Sequence, residues 1–98
     1  MTIEMNKNEQ EVVLMVAGRL DATTAPQLDK TIEEEVNGIN SLILDLEGLE
    51  YISSAGLRVI LIAQKKMQQI GSMTVKNVRE EIMDIFEMTG FADILTIE

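Results

Sequence analysis

Residues 44–61 read LDLEGLEYISSAGLRVIL, and this stretch decides the fold. The apolar run Leu42–Leu46 leading into it is typical of a buried strand, and Gly48 to Tyr51 is predicted to be a loop. A helix is then predicted from Ser54 to Ile70, because apolar residues recur at helical spacing, and Gly71 is placed to end it. A buried strand that leads through a loop into a helix is one unit of an α/β domain.

The flanking sequence predicts further units on both sides. Before the strand at 42–46, the chain has predicted strands at 2–5 and 12–17 and a predicted helix through 24–36. After the helix at 54–70, it has a predicted strand at 72–76, a helix ending at Gly90 and a last strand near Ile97. The run at 12–17 is continuously apolar, which indicates a strand buried on both faces. Thr24 and Gln27 have capping-box spacing at the start of the first helix. The order β-β-α-β-α-β-α-β predicts one α/β domain over residues 1–98, with helices packed on a mixed sheet.

Composition narrows the function before any motif is considered. The chain has 98 residues, a formal net charge of −9, no histidine and no cysteine. The acidic balance argues against nucleic-acid binding, which depends on Lys and Arg contacts to phosphates. Without histidine or cysteine, the usual catalytic triads and thiol nucleophiles cannot form, so we expect a protein that is not an enzyme. No apolar stretch is long enough for a membrane span and the N-terminus is polar, so a cytoplasmic location is expected.

Two adjacent serines, Ser53 and Ser54, begin the predicted central helix. A serine at this place can cap the helix. The same free N–H groups and the positive end of the helix dipole would also stabilise a phosphate there. Gly56, two residues after Ser54, has two interpretations: it lets a partner or phosphate approach closely, or it allows tight packing of the helix on the sheet.

Helical spacing places Leu57, Arg58, Leu61 and Lys65 on one stripe with Ser54. Leucines beside a candidate modification site predict a docking patch, and incidental exposure is the alternative. From Tyr51 to Arg79 the chain carries five basic residues and no acidic one. Arg58 lies one turn from Ser54, where it is predicted to contact a phosphate or an acidic partner.

Two carboxylates, Asp21 and Asp45, follow or end predicted strands. The ends of strands in open α/β sheets commonly border a ligand site, so Asp21, Asp45 and Ser54 are expected to converge at one sheet edge. Asp21 is equally suited to hydrogen bonding within a turn. Nothing in the spacing of these acids specifies a metal site, so no metal or cofactor is predicted.

Three motifs in this order resemble those of the STAS-domain family, specifically the bacterial anti-sigma factor antagonists. They are Gly18-Arg-Leu-Asp21, then Leu44-Asp-Leu with Ile52-Ser-Ser-Ala-Gly-Leu57, and last Phe86-Glu-Met-Thr-Gly-Phe91. The resemblance covers essentially the whole chain, and its middle motif is the most specific. In some members an acid precedes and a hydroxyl residue follows the phosphoacceptor, whereas this chain has Ser53 and Ala55 at those places.

The resemblance implies a phosphorylation switch. The unmodified protein binds an anti-sigma factor that is also a serine kinase, which frees the sigma factor. The kinase uses its own bound ATP to phosphorylate the antagonist, and a serine phosphatase restores it. Carried over by motif, the phosphoacceptor is Ser54, with Ser53 as the fallback. Asp21 and Asp45 are expected near it. The partner-binding surface is expected to include a further set of residues: Thr23, Gly56, Leu57, Arg58, Leu61 and Lys65.

Two other functions stay open. The chain could be a STAS adaptor subunit of a transporter or another signalling assembly, without a phosphorylation switch. An enzyme that uses Asp21 and Asp45 is disfavoured by the missing histidine and the small size of the domain.

Overall fold

The computed structural model describes all residues, 1–98. The secondary-structure elements follow one another along the chain as β1 (Thr2–Asn8), β2 (Glu11–Leu20), α1 (Ala25–Glu35), β3 (Ser41–Asp45), β4 (Leu49–Ile52), α2 (Ser54–Ile70), β5 (Ser72–Lys76), α3 (Glu80–Thr89) and a 3₁₀ turn at Phe91–Asp93. The predicted α/β fold, a mixed sheet with three helices, is confirmed. No helix is both long and apolar enough to cross a bilayer.

The five strands form one sheet of order β1-β2-β3-β5, with β4 added beside β2. Strand β1 runs antiparallel to β2 as a hairpin, and the other pairs are parallel. Strand β2 has ten residues and β3 has five, so β2 outlasts its neighbour. Its first part pairs with β3 up to Met15, and its last part pairs with β4 from Gly18 to Leu20.

The core lies on one face of the sheet only. Val12, Leu14 and Val16 of β2 are buried against a single cluster that includes the helix residues Ile32 and Ile60. The alternate residues of β2 are only half-buried. The prediction of strands buried on both faces was therefore wrong, because the three helices all contribute to one core and leave the other face of the sheet uncovered.

Strand β4 corrects a second expectation, since residues 48–51 were predicted to be a loop. Leu49–Ile52 pairs with β2, and the N–H of Gly18 donates to the carbonyl of Gly48 at 2.8 Å. A Cβ on Gly48 would lie 2.7 Å from that of Ala17, so the close approach of the two chains requires glycine there. This strand places the start of α2 directly beside the end of β2.

The ends of the later elements largely match the sequence pattern. Gly71 ends α2 and Gly90, with φ of +82°, ends α3 in the left-handed conformation that glycine favours. The predicted last strand is reduced to one parallel bridge between Val75 and Ile97. The carbonyl of Thr96 accepts from the N–H of Val75 at 2.8 Å, so this segment covers the outer edge of β5.

Candidate functional site

The two serines at the start of α2 have different environments. Ser53 is the N-cap, and its Oγ accepts a hydrogen bond from the N–H of Gly56 at 3.4 Å. Ser54 is the first helical residue, is exposed, and its hydroxyl makes no hydrogen bond in the chain. The N–H groups of Ser54 and Ala55 also lack partners, as expected in a first helical turn. The hydroxyl of Ser54 is therefore free, whereas that of Ser53 is engaged in capping.

Gly56 belongs to the core and not to an exposed surface. Its position is buried, and an added Cβ would lie 2.7 Å from Cγ of Leu20 and 2.9 Å from Cγ1 of Ile52. The interpretation that Gly56 allows helix–sheet packing is the correct one. The expected contact of Gly56 with a partner stays a prediction, and the buried position of Gly56 against Leu20 at the end of β2 does not favour it.

Asp21 organises the turn that joins β2 to α1. Its Oδ1 accepts hydrogen bonds from the hydroxyl of Thr23 at 2.7 Å, from the N–H of Thr23 at 3.0 Å and from the N–H of Thr24 at 3.2 Å. Thr24 does not form the predicted capping box, since its Oγ1 accepts from the N–H of Asp21 and donates to the carbonyl of Arg19. Both side chains thus stabilise the turn.

These hydrogen bonds also affect the charge of Asp21. The hydroxyl of Thr23, with the backbone N–H groups of Thr23 and Thr24, holds the pKa of the Asp21 carboxyl below its usual range. Burial acts in the opposite direction and is outweighed. Asp21 is accordingly ionised at neutral pH and contributes a fixed negative charge at this end of the sheet.

The lowered pKa predicts how acid affects stability. Because the folded state favours the carboxylate, Asp21 stabilises the fold above its ordinary pKa, and this contribution is lost as pH falls through the lower pKa of the folded protein. Removing the Thr23 donor in Thr23→Val is expected to raise the pKa of Asp21. Carboxyl-carbon NMR titration of both proteins measures the shift directly. An Asp21 that titrates at its ordinary pKa in the native protein would contradict this assignment.

An apolar groove lies between the N-terminal halves of α1 and α2. It has a volume of about 350 Å³, and one wall is formed by Ala22, Ala25, Pro26 and the carboxylate residue Asp29. The opposite wall is formed by residues of the first turns of α2: Ala55, Arg58, Val59 and Ile62. Ser54 directly precedes Ala55, and the N–H of Ser53 donates to the carbonyl of Leu20 at 2.9 Å. The groove, Ser54 and the Asp21 turn therefore lie at the same end of β2.

The predicted leucine stripe is only partly exposed. Leu57 is buried, Leu61 is half-buried, and Arg58 and Lys65 are exposed. The paired-leucine patch was wrong because the buried surface of α2 extends to Leu57 and Gln64, so it is wider than the sheet-facing arc. The apolar groove lies instead on the α1-facing flank of the helix, where Ala55 and Ile62 are half-buried. Lys65 lies about 16 Å along the helix axis from Ser54.

Asp45 does not share the groove with Ser54. Its Oδ1 accepts from the N–H of Glu47 at 3.0 Å, and its side chain lines a separate depression of about 310 Å³ with Thr2, Glu4 and Met15. The expected convergence therefore holds for Asp21 and Ser54 but not for Asp45. The reason is strand alternation: Leu42 and Leu44 face the core, so Asp45 faces the uncovered side of the sheet. Asp21 and Asp45 consequently form no shared two-carboxylate site.

The sequence reasoning missed a surface pair beside the Asp21 turn. The guanidinium of Arg19 lies 4.1 Å from the centre of the Tyr51 ring, and its Nε lies 3.8 Å from Oδ2 of Asp21. The two residues are paired across β2 and β4. No local signal identifies this pair, because residue 51 was predicted to lie in a loop. It presents an exposed aromatic ring and a cation at the same end of the sheet as Ser54.

Comparison with known proteins identifies the family. A sequence profile described as STAS domain matches residues 2–98. The chain is 32% identical over 101 residues to the anti-sigma-B factor antagonist of Listeria monocytogenes, covering 99% of this chain and 88% of that protein. An anti-sigma factor antagonist from Mycobacterium paratuberculosis has a similar structure, with a TM-score of 0.89 and 23% identity over 98% of this chain and 83% of that one.

The fold is also similar to that of SpoIIAA, an anti-sigma factor antagonist solved in two states. The unphosphorylated form has a TM-score of 0.86 and 17% identity, covering 99% of this chain and 88% of that one. The phosphorylated form, from Bacillus, has a TM-score of 0.78 and covers 99% and 91%. The fold, the order of the motifs and the profile match over residues 2–98 together show that this chain belongs to the STAS-domain family.

Proposed function

We propose that this protein is an anti-sigma factor antagonist that is switched off by phosphorylation of Ser54. The observation that carries the proposal is the free hydroxyl of Ser54 at the first position of α2, next to an apolar groove, while Ser53 is engaged as the cap. The relatives named as anti-sigma factor antagonists support the same function. The chain itself performs no catalysis in this scheme, and it binds no nucleic acid.

In the unmodified state, the groove and its rim bind an anti-sigma factor that is also a serine kinase, and the sigma factor is released. Pro26 and Ile62 supply apolar surface on the two helices, and Arg58 and Asp29 supply the one cation and the one anion of the groove. The Asp21 turn and the Arg19–Tyr51 pair extend this surface with polar and aromatic groups. Aromatic and arginine side chains are enriched at the energetically important positions of protein interfaces.

In the phosphorylated state, this surface carries a new charge at its rim. The Ser54 Oγ attacks the γ-phosphorus of ATP bound in the kinase, ADP leaves, and the hydroxyl proton passes to a base of the kinase. The phosphate adds about −1.5 to −2 charges and three acceptor oxygens. Enclosing that charge against an apolar partner removes its water, which costs several kcal/mol where the partner offers no compensating group, so the complex dissociates. A serine phosphatase then restores the binding form.

The fold is suited to carry this phosphate without rearrangement. The unpaired N–H groups of Ser54 and Ala55 can donate to phosphate oxygens, and the helix dipole favours negative charge there. Arg58 is exposed, one turn away, and forms no ion pair in the chain. We therefore expect Arg58 to contact the phosphate in the free protein, which also withdraws that cation from the partner. The proposal places the protein in the cytoplasm, where sigma factors act.

The proposal is tested with the serine-kinase anti-sigma factor of the source organism and ATP. Mass spectrometry of the products is expected to locate one phosphate on Ser54. The Ser53→Ala variant keeps the acceptor and should still be phosphorylated, whereas Ser54→Ala should not be. In Arg58→Ala, either the rate of phosphorylation or the affinity for the unphosphorylated partner should fall.

A different outcome would favour the adaptor function. If neither serine receives phosphate and the kinase does not bind, the phosphorylation switch is wrong. Phosphate on Ser53 and not on Ser54 would instead overturn the assignment of the acceptor, since it requires the capping hydroxyl to leave the helix start. No change in Arg58→Ala would remove Arg58 from the mechanism.

A further inference from the structure

The two long sides of the sheet are protected differently. On one side, the C-terminal segment covers β5 through hydrogen bonds at 2.8 and 2.9 Å that involve Thr96, Val75 and Glu98. On the other side, β1 pairs only with β2, and its outer edge has no partner. An uncovered edge strand presents a row of free N–H and C=O groups that can pair with another strand.

Strand alternation identifies the outward groups of β1. The carbonyl of Gln10 accepts hydrogen bonds from the N–H groups of Asn40 and Ser41, where β3 begins. Backbone groups alternate in direction along a strand, so the even-numbered residues at the start of β2 direct their N–H and C=O groups toward β3. The odd-numbered residues Glu11, Val13 and Met15 therefore form backbone hydrogen bonds with β1. The residues opposite them in β1 are Asn8, Asn6 and Glu4. It follows that Ile3, Met5 and Lys7 direct their N–H and C=O groups outward.

Strand β1 has no bulge, proline or shortening that would prevent edge pairing, and its charged side chains are Glu4 and Lys7. It runs in continuous register with β2 over seven residue pairs, with no bulge and no proline. Its one lysine, Lys7, interacts with Glu35 of α1 at 3.5 Å. Met5, at the centre of the strand, is 48% exposed. Natural edge strands are commonly shortened, bulged, or interrupted by proline or a free lysine.

We propose that a second copy of this chain adds to this edge, with the two β1 strands antiparallel about a two-fold axis at Met5. In this register each Met5 faces the other, and Ile3 of each copy faces Lys7 of the other, so all three outward residues form hydrogen-bonded pairs. Glu4 then lies opposite Asn6, and Thr2 lies opposite Asn8. The result is a continuous sheet across the dimer.

Charge and hydrogen bonding favour this register over the two registers that place the two-fold axis one residue away, at Glu4 or at Asn6. An axis at Glu4 would place the two Glu4 carboxylates directly opposite each other, which destabilises a strand pair. An axis at Asn6 would leave Ile3 without a partner inside the strand. Only the axis at Met5 uses every outward group and avoids opposed like charges.

The dimer leaves the Ser54 surface accessible, so it goes beyond the proposed switch and does not depend on it. The groove and Ser54 lie beyond the Thr2 end of β1, because Thr2 pairs with Ala17 and the last part of β2 leads to Ser53. Antiparallel pairing reverses the second strand. The two Ser54 surfaces therefore lie at opposite ends of the dimer, and each can bind a partner.

Self-association is measured by sedimentation equilibrium of the full chain over a concentration series. We expect a reversible dimer that strengthens with salt, because two chains of net charge −9 repel each other. Raising ionic strength from about 0.01 to 0.15 M shortens the screening length from about 30 to 8 Å. Met5→Lys and Met5→Glu should each weaken the dimer at least tenfold, since they place like charges across the axis. Met5→Pro should do so by removing an outward N–H.

Mixing the two charge variants provides the decisive control. The lysine introduced in one variant would face the glutamate introduced in the other, so an equimolar mixture should regain dimers that neither variant forms alone. Met88→Lys is the matched control, because Met88 is 85% exposed on α3, a helix that packs against β4 and the 3₁₀ turn and not against β1. Circular dichroism verifies that each variant is folded. A wild-type chain that stays monomeric, a dimer unaffected by Met5→Lys, or a mixture without heterodimers would overturn the proposal.

Discussion

Replacing Ser54 with aspartate is expected to lower affinity for the serine-kinase anti-sigma factor by at least about a hundredfold, which corresponds to about 2.7 kcal/mol. The physical reason is the position of the side chain at the rim of an apolar groove lined by Pro26 and Ile62. A carboxylate enclosed there by the partner loses its hydration, and an uncompensated buried charge costs several kcal/mol. Isothermal titration calorimetry with the nucleotide-loaded kinase measures the loss.

Two variants separate this effect from a general effect of charge or of fold. Ser54→Ala removes only a hydroxyl that makes no hydrogen bond in the chain, so it should bind about as tightly as the native protein. Gln68→Asp adds the same charge on the exposed surface of α2, about 21 Å along the axis from residue 54, and should also bind normally. Equal loss in Ser54→Asp and Gln68→Asp would mean that net charge, and not the groove, controls binding.

Replacing Gly71 with alanine is expected to destabilise the fold by about 3 kcal/mol or more, toward the upper end of what overpacking costs. A Cβ at this position would lie 1.9 Å from the carbonyl oxygen of Asn40 and 2.6 Å from its carbonyl carbon. Those atoms are backbone and cannot rotate away. The same carbonyl accepts from the N–H of Ser72 at 2.9 Å, so moving it would disturb the start of β3 and of β5 together. Urea unfolding monitored by circular dichroism measures the change.

Gly38→Ala is the matched control for Gly71→Ala. Gly38 has φ of +82°, but a Cβ there would meet no atom within 4 Å. Its substitution therefore costs only the strain of a left-handed backbone, about 1 kcal/mol. If the two variants are equally stable, the contact with Asn40 is not what requires glycine at residue 71.

The regular part of the fold could be predicted because each element is encoded locally. Leu28 and Ile32 recur at helical spacing in α1, and Gly71 and Gly90 mark the ends of α2 and α3 where they were expected. Strand β4 was missed for an equally local reason. Its four residues are too few to show alternation, and its pairing partner lies far earlier in the chain. A short strand of this kind is formed by pairing and not by its own residue preferences.

The sequence by itself determined the α/β class, the order of the elements other than β4 and the last strand, the family and the segment that contains the candidate acceptor. Those properties depend on periodicity, glycine positions and motif spacing, which are all visible along the chain. The tertiary structure decided which serine is free, which flank of α2 is exposed and which carboxylate accompanies Ser54. Ser53 caps the helix at a place where its N–H also donates to the carbonyl of Leu20 at the end of β2, and Leu57 belongs to the core cluster. Asp45 is separated from Asp21 because strand alternation turns it to the uncovered face, and contacts of this kind exist only once distant segments have packed.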